Sequence, residues 1–114
     1  METLKPNMYV RTKKGLIAKI INIFDDENIM KICGKIQTEK FGLNENEILK
    51  ASHNIIDLIE VGDYVNVLLV VDKYYDYANK EWRLNDRNGF ICTEKNINSI
   101  VTKEQFESMQ YEVK

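Results

Sequence analysis

The feature that most constrains the fold of this chain is an order of strand and turn signals that is written twice. At a shift of roughly fifty residues, a spacing typical of repeat architectures, Phe24-Asp25 with Asn28 falls on Tyr75-Asp76 with Asn79. Phe41, Glu45 and Ile48 fall on Phe90, Glu94 and Ile97, and Ser52, Ile56 and Ile59 fall on Thr102, Phe106 and Met109. Tyr9-Val10 matches Tyr64-Val65. Each half reads strand, long strand, turn, strand, loop, short strand, capped helical turn. Short antiparallel strands in this order predict a mainly β, β-rich α+β fold of two tandem SH3-like small barrel halves. The halves run approximately over residues 1–60 and 61–114, each ends in a short helical turn, and together they form a single compact domain. One irregular α+β domain whose halves only look alike is the alternative.

The local signals support that order. Met8 to Thr12 is a strand, and Lys13-Lys14-Gly15 is a turn whose glycine supplies a positive φ. Leu16 to Phe24 is β-branched and long enough for a strand with one buried face. Asp25-Asp26-Glu27-Asn28 reads as a polar turn, Ile29 to Cys33 as a further strand, and Gly34 as its end. Ser52 opens a helical turn that points Ile55, Ile56 and Ile59 inward, and Val61-Gly62-Asp63 breaks it before Tyr64 restarts a strand. Thr102-Lys103-Glu104-Gln105 has the form of a capping box at the start of the last helix.

Composition narrows the classes of function. In 114 residues, 44% are hydrophobic and 30% charged, and the formal net charge is -2 with both signs mixed along the chain. That balance makes nucleic acid a less favoured partner, gives no case for a membrane, and falls well short of the negative charge of a DNA mimic. The longest apolar run, Val67 to Val71, is far too short to span a bilayer. Met1 to Pro6 lacks the basic start and apolar run of a signal peptide, so an intracellular location with Cys33 and Cys92 reduced is expected.

Catalytic chemistry finds little material. His53 is the single histidine and has no Cys or carboxylate beside it at ligand spacing. The acidic groups Asp25-Asp26-Glu27 and Asp57, Glu60, Asp63 lack the alternating pattern of a calcium loop and are explained by turns and a solvated face. No phosphate-binding glycine loop and no nucleophile elbow occurs. The expectation is a protein that is not an enzyme and takes no cofactor or metal. The richest surface is the hairpin around Tyr75, Tyr77 and Trp82, accompanied by Lys73, Lys80, Arg83 and Arg87. Exposed Tyr and Trp bury large areas at low entropic cost, so Tyr75, Tyr77, Trp82, Lys80, Arg83 and Arg87 are the candidate partner-binding set.

Two stretches carry a resemblance. Asn54-Ile55-Ile56-Asp57-Leu58-Ile59-Glu60-Val61-Gly62-Asp63-Tyr64-Val65-Asn66 and Ile97-Asn98-Ser99-Ile100-Val101-Thr102-Lys103-Glu104-Gln105-Phe106-Glu107 resemble sequences recurrent in small proteins of Firmicutes phages and prophages. That family has no established function to carry over. The resemblance implies a phage accessory protein in the host bacterial cytoplasm that binds and neutralises a host factor. CRISPR effectors and nucleotide immune signals are the expected kinds of target, and a nucleic-acid-associated SH3-like or KOW-like module is the alternative. Two-fold internal similarity with free sheet edges also implies self-association. The chain departs from its relatives at Asn66-Val67, where they usually look like Asn-Gly. A β-branched residue disfavours a type I′ turn, so a longer continuous strand over Val67 to Val71 is expected there.

Overall fold

The computed structural model describes residues 3–109. Among these the protein is mainly β, with antiparallel strands in three sheets, short 3-10 turns and two short α-helices. The chain divides into two units, Met1–Leu58 and Ile59–Lys114.

The first unit is a five-stranded sheet in the order β4-β3-β2-β1-β5. Its strands are β1 (Tyr9–Thr12), β2 (Ile17–Ile23), β3 (Ile36–Thr38), β4 (Gly42–Leu43) and β5 (Ile48–Ser52). The long β2 is shared along its length. Residues Ile17 to Lys19 pair with β1, and Ile20 to Ile23 pair with β3 across an irregularity between Ile20 and Asn22. One 3-10 turn (Glu45–Glu47) joins β4 to β5, and another (Ile55–Leu58) follows β5. Alternation along the strands delivers Met8, Val10, Ile20, Ile36, Leu43 and Ile48 to one buried cluster. Burial of each such side chain contributes about 1.5–3 kcal/mol. Arg11 is also fully buried, and its Nη1 donates to the Leu58 carbonyl at 2.9 Å, tying β1 to the turn that ends the unit.

One expected strand is a helix. Residues 27–33 form α1 (Glu27–Cys33) rather than a continuation of the sheet. The polar run before it is a helix start, not a plain turn. The Asp26 side chain accepts from the backbone N–H of Asn28 at 2.8 Å and of Ile29 at 3.4 Å, with Glu27 in the first turn and Lys31 in the last. Charge placed this way suits the helix dipole. Gly34 closes the helix at φ 80°, and a Cβ there would meet the Leu43 carbonyl oxygen at 2.8 Å. Only glycine satisfies both conditions.

In the second unit, β6 (Tyr64–Val65), β7 (Leu68–Leu69) and β11 (Ile100–Val101) form a sheet in the order β11-β6-β7. Strands β8 (Asp72–Asp76), β9 (Glu81–Asp86) and β10 (Gly89–Thr93) form another in the order β10-β9-β8. The chain from β7 into β8 pairs first with β6 and then with β9, as β2 does within a single strand. A 3-10 turn (Glu94–Asn96) joins β10 to β11, and α2 (Lys103–Met109) follows β11. Buried apolar residues here are Ile59, Val65, Val70, Leu84 and Cys92. Among the described residues neither unit's pairings close into a ring, so of the small barrel halves expected from the sequence the structure shows mainly β units of open antiparallel sheets.

Asn66-Val67 corrects a second expectation. The hairpin persists: Val65 pairs with Leu68 and Tyr64 with Leu69, and Asn66 and Val67 sit at φ 51° and 72°. Asn66 holds it in place. Its Oδ1 accepts from the N–H of Asn98 at 2.8 Å and of Ser99 at 3.2 Å, and its Nδ2 donates to the Asn96 carbonyl at 2.8 Å. At about 1 kcal/mol net per hydrogen bond these three contacts offset the roughly 1–2 kcal/mol cost of the left-handed Val67, Asn66 being of a type that visits that region routinely.

Candidate functional site: an aromatic hairpin

The β8–β9 hairpin has a stiff turn. Asp76 accepts from the N–H of Ala78 at 3.0 Å, from the N–H of Asn79 at 3.3 Å and from the Asn79 side-chain amide at 2.8 Å. Its carboxyl is held below the usual carboxylate range, chiefly by the Asn79 side-chain amide, against partial desolvation and with help from the two backbone N–H groups and Arg83. Lys80 completes the turn at φ 53°. The register then sets Tyr75 opposite Trp82, Lys73 opposite Leu84, and Tyr74 opposite Arg83.

Opposed residues share a face, so one face carries Lys73, Tyr75, Trp82 and Leu84. At one end of this row Leu84, paired with Cys92, is buried. At the other end the row emerges into solvent. Trp82 is 39% exposed and Tyr77 83%. Tyr75 links them, with its ring centroid 5.0 Å from Tyr77 edge-on and 5.5 Å from Trp82 in a tilted contact. Lys73 Nζ lies 5.3 Å from the Trp82 ring centroid and donates to the Ile59 carbonyl at 3.1 Å. The three rings are therefore held by one another.

The opposite face has different chemistry. Arg83 pairs with Asp76 at 3.2 Å and Glu81 at 3.3 Å and lies 4.9 Å from the ring centroid of Phe90, which is 53% exposed. Its charge is thus balanced locally. Of the six residues picked out from the sequence, Tyr75, Tyr77 and Trp82 come together, Lys80 stands exposed in the adjoining turn, and Arg83 belongs to the other face. Arg87 is exposed beyond the far end of β9, about 16 Å along the strand from Trp82 at the usual rise per residue. Lys73, an accompanying cation outside that set, joins the aromatic face, as two-residue alternation with Tyr75 requires. Phe90 is the addition that the sequence does not offer, because only the β9–β10 register brings it near Arg83.

The other candidates have structural roles. His53 is exposed. Asp57 accepts from the Ser52 hydroxyl, Glu60 pairs with Lys103 at 2.7 Å, and Asp26 caps α1. Asp63 is fully buried; its Oδ2 accepts from the Glu60 N–H at 2.7 Å and its Oδ1 from the Lys103 N–H at 3.0 Å. Among the described residues no group of three or more His, Cys, Asp or Glu is placed to hold a metal ion. Cys92 is buried, and desolvation pushes its thiol pKa up, whereas the side chain of Cys33 lies outside the described residues. Among the described residues no helix is long and apolar enough to cross a membrane. Comparison with protein-family models, curated proteins and solved structures finds no match.

Proposed function

We propose that this protein works by binding, with the Tyr75–Tyr77–Trp82 face as its contact surface, and that it is a phage accessory protein that neutralises a host factor. The observation that carries the reading is a row of side chains that begins as core at Leu84 and ends as exposed, mutually packed rings. Rings fixed in this way lose little further freedom on association, which favours them as interface anchors. The target is a host protein, in particular a defence factor, or a small nucleotide messenger that stacks on the rings. The assignment to phage biology rests on the resemblance of residues 54–66 and 97–107.

Both units are read as SH3-like halves descended from one duplicated unit. The strand order supports this. In each unit the last strand pairs with the first, the stretch after the first strand is shared between two partners, and a 3-10 turn precedes the last strand. The 3-10 turns Glu45–Glu47 and Glu94–Asn96 fall on one another at the same shift as the sequence matches. The pairs Ile36–Leu43 and Leu84–Cys92, all four residues buried, also correspond to within one residue of that shift.

A pull-down tests the binding reading. The immobilised chain is exposed to Firmicutes lysate, and retained proteins and nucleotides are read by mass spectrometry. The expected result is a specific species retained by the native chain and lost with the Tyr77→Ala/Trp82→Ala double variant. Retention of the same species by both forms would sink the aromatic face as the site.

A nucleic-acid-binding reading draws on Lys73 over Trp82 and Arg83 over Phe90. It is the weaker one, because Arg83 is already neutralised by Asp76 and Glu81. It requires affinity that falls steeply with salt, and a gel-shift series without binding at low salt would end it.

A further inference from the structure

The first unit holds a cavity of about 350 Å³ between the β1–β2 turn and the β4–3-10 segment, independent of the aromatic hairpin. Its apolar wall is Leu16, Phe41 and Leu43, and its polar rim includes Lys13, Lys14 and Glu47. The volume lies at the lower end of the roughly 300–1,000 Å³ typical of small-ligand sites, enough for one ring and a short polar tail.

The rim is built and its charges are unequal. Gly15 turns the chain at φ 88°, the Leu16 N–H donates to the Thr12 hydroxyl at 3.0 Å, and the Lys13 N–H donates to the Glu47 carbonyl at 2.9 Å. Both walls are therefore fixed before a ligand arrives, which reduces the ordering cost of binding. Glu47 is engaged, since its Oε2 accepts from the Asn44 N–H at 3.1 Å in the capping box of the 3-10 turn. Lys13 and Lys14 are exposed, and among the described residues neither ammonium has an ion-pair partner.

We propose that this cavity is a binding site for a small organic acid, an aromatic or branched aliphatic body carrying one carboxylate, with the body against Phe41 and Leu16 and the carboxylate between Lys13 and Lys14. An apolar wall alone would accept a neutral ligand equally well. Two ammonium groups against one carboxylate leave the rim with a net positive charge, which favours an anion.

The test is a titration of the full ¹⁵N-labelled chain with phenylacetate, phenylacetamide and inorganic phosphate, followed by amide chemical shifts. Phenylacetate is expected to saturate in the millimolar range and to move the amides of residues 13–16, 42–43 and 46–47. Phenylacetamide should bind at least about tenfold more weakly. The Lys13→Gln/Lys14→Gln variant changes two exposed side chains, so it should keep the native spectrum while losing most of the preference for the acid. A peptide ending in a free phenylalanine carboxylate separates the source. Binding of the free acid at least as tight as the peptide supports a small-molecule site, and clearly tighter peptide binding overturns it. The proposal is also overturned by shifts that do not saturate, by equal affinity for acid and amide, or by the same shifts with phosphate alone. None of these outcomes bears on the aromatic hairpin, so the two readings fail separately.

Discussion

Val67 shows how much a single residue can hold against its own preference. It is 85% exposed, occupies φ 72° and gains no burial from that placement. The turn survives because Asn66 is bonded to the Asn96–Ser99 segment, a tertiary contact that composition at positions 66 and 67 does not reveal. Replacing Val67 with Gly removes the left-handed penalty at some cost in unfolded-chain entropy. The expected outcome is a gain of about 1 kcal/mol in thermal or urea unfolding. A destabilised Val67→Gly would contradict this account of the turn. Asp63 is the opposite case, a buried carboxylate with two backbone donors at 2.7 and 3.0 Å. Asp63→Ala should lose about 2–3 kcal/mol by chemical denaturation, because both N–H groups would be left without that acceptor. Cys92 is buried and its thiol pKa is raised by desolvation. Its alkylation, followed by peptide mass spectrometry, should be slow in native protein at neutral pH and rapid in denaturant. A native rate equal to the denatured one would mean that Cys92 is not enclosed.

At the scale of elements, strand order was more legible in the sequence than helix identity. The capping box expected at Thr102 is present: the Gln105 N–H donates to the Thr102 hydroxyl at 3.2 Å and the Thr102 N–H to Gln105 Oε1 at 3.2 Å. Asp26 carries the same kind of information for α1, but Ile29, Ile32 and Cys33 have strand preference and obscured it. Capping by Asp26 and the close approach at Gly34 decide the segment, and the second of these is tertiary. The aromatic hairpin was legible in its alternation, whereas the balancing of Arg83 by Asp76 and Glu81 depends on register and was not. Asp76 gives the hairpin a pH dependence with a definite sign. Its folded pKa is depressed, so its contribution is fully present above the ordinary carboxylate pKa and is lost as pH falls through the lower, folded value. Near-ultraviolet circular dichroism of the Tyr75–Trp82 cluster should therefore hold steady from pH 7 to about 5 and weaken below the ordinary carboxylate range of about 3.9. A cluster signal lost already near pH 6 would rule out Asp76 as the group that stiffens the turn.

At the scale of the whole molecule, each unit has its own buried set and its own candidate surface, the cavity in the first and the aromatic face in the second. The mainly β, antiparallel character of both units could be read from the chain. The cavity could not, because its walls come from segments some thirty residues apart that only the β1–β5 and β3–β4 pairings bring together. The central claim, that the molecule binds its target through the Tyr75–Tyr77–Trp82 face, is tested most directly by hydrogen exchange on the full chain with and without the captured target. The account predicts that slowing of exchange on binding is concentrated in residues 73–84. Unchanged exchange across that hairpin, with protection appearing elsewhere in the chain, would contradict it.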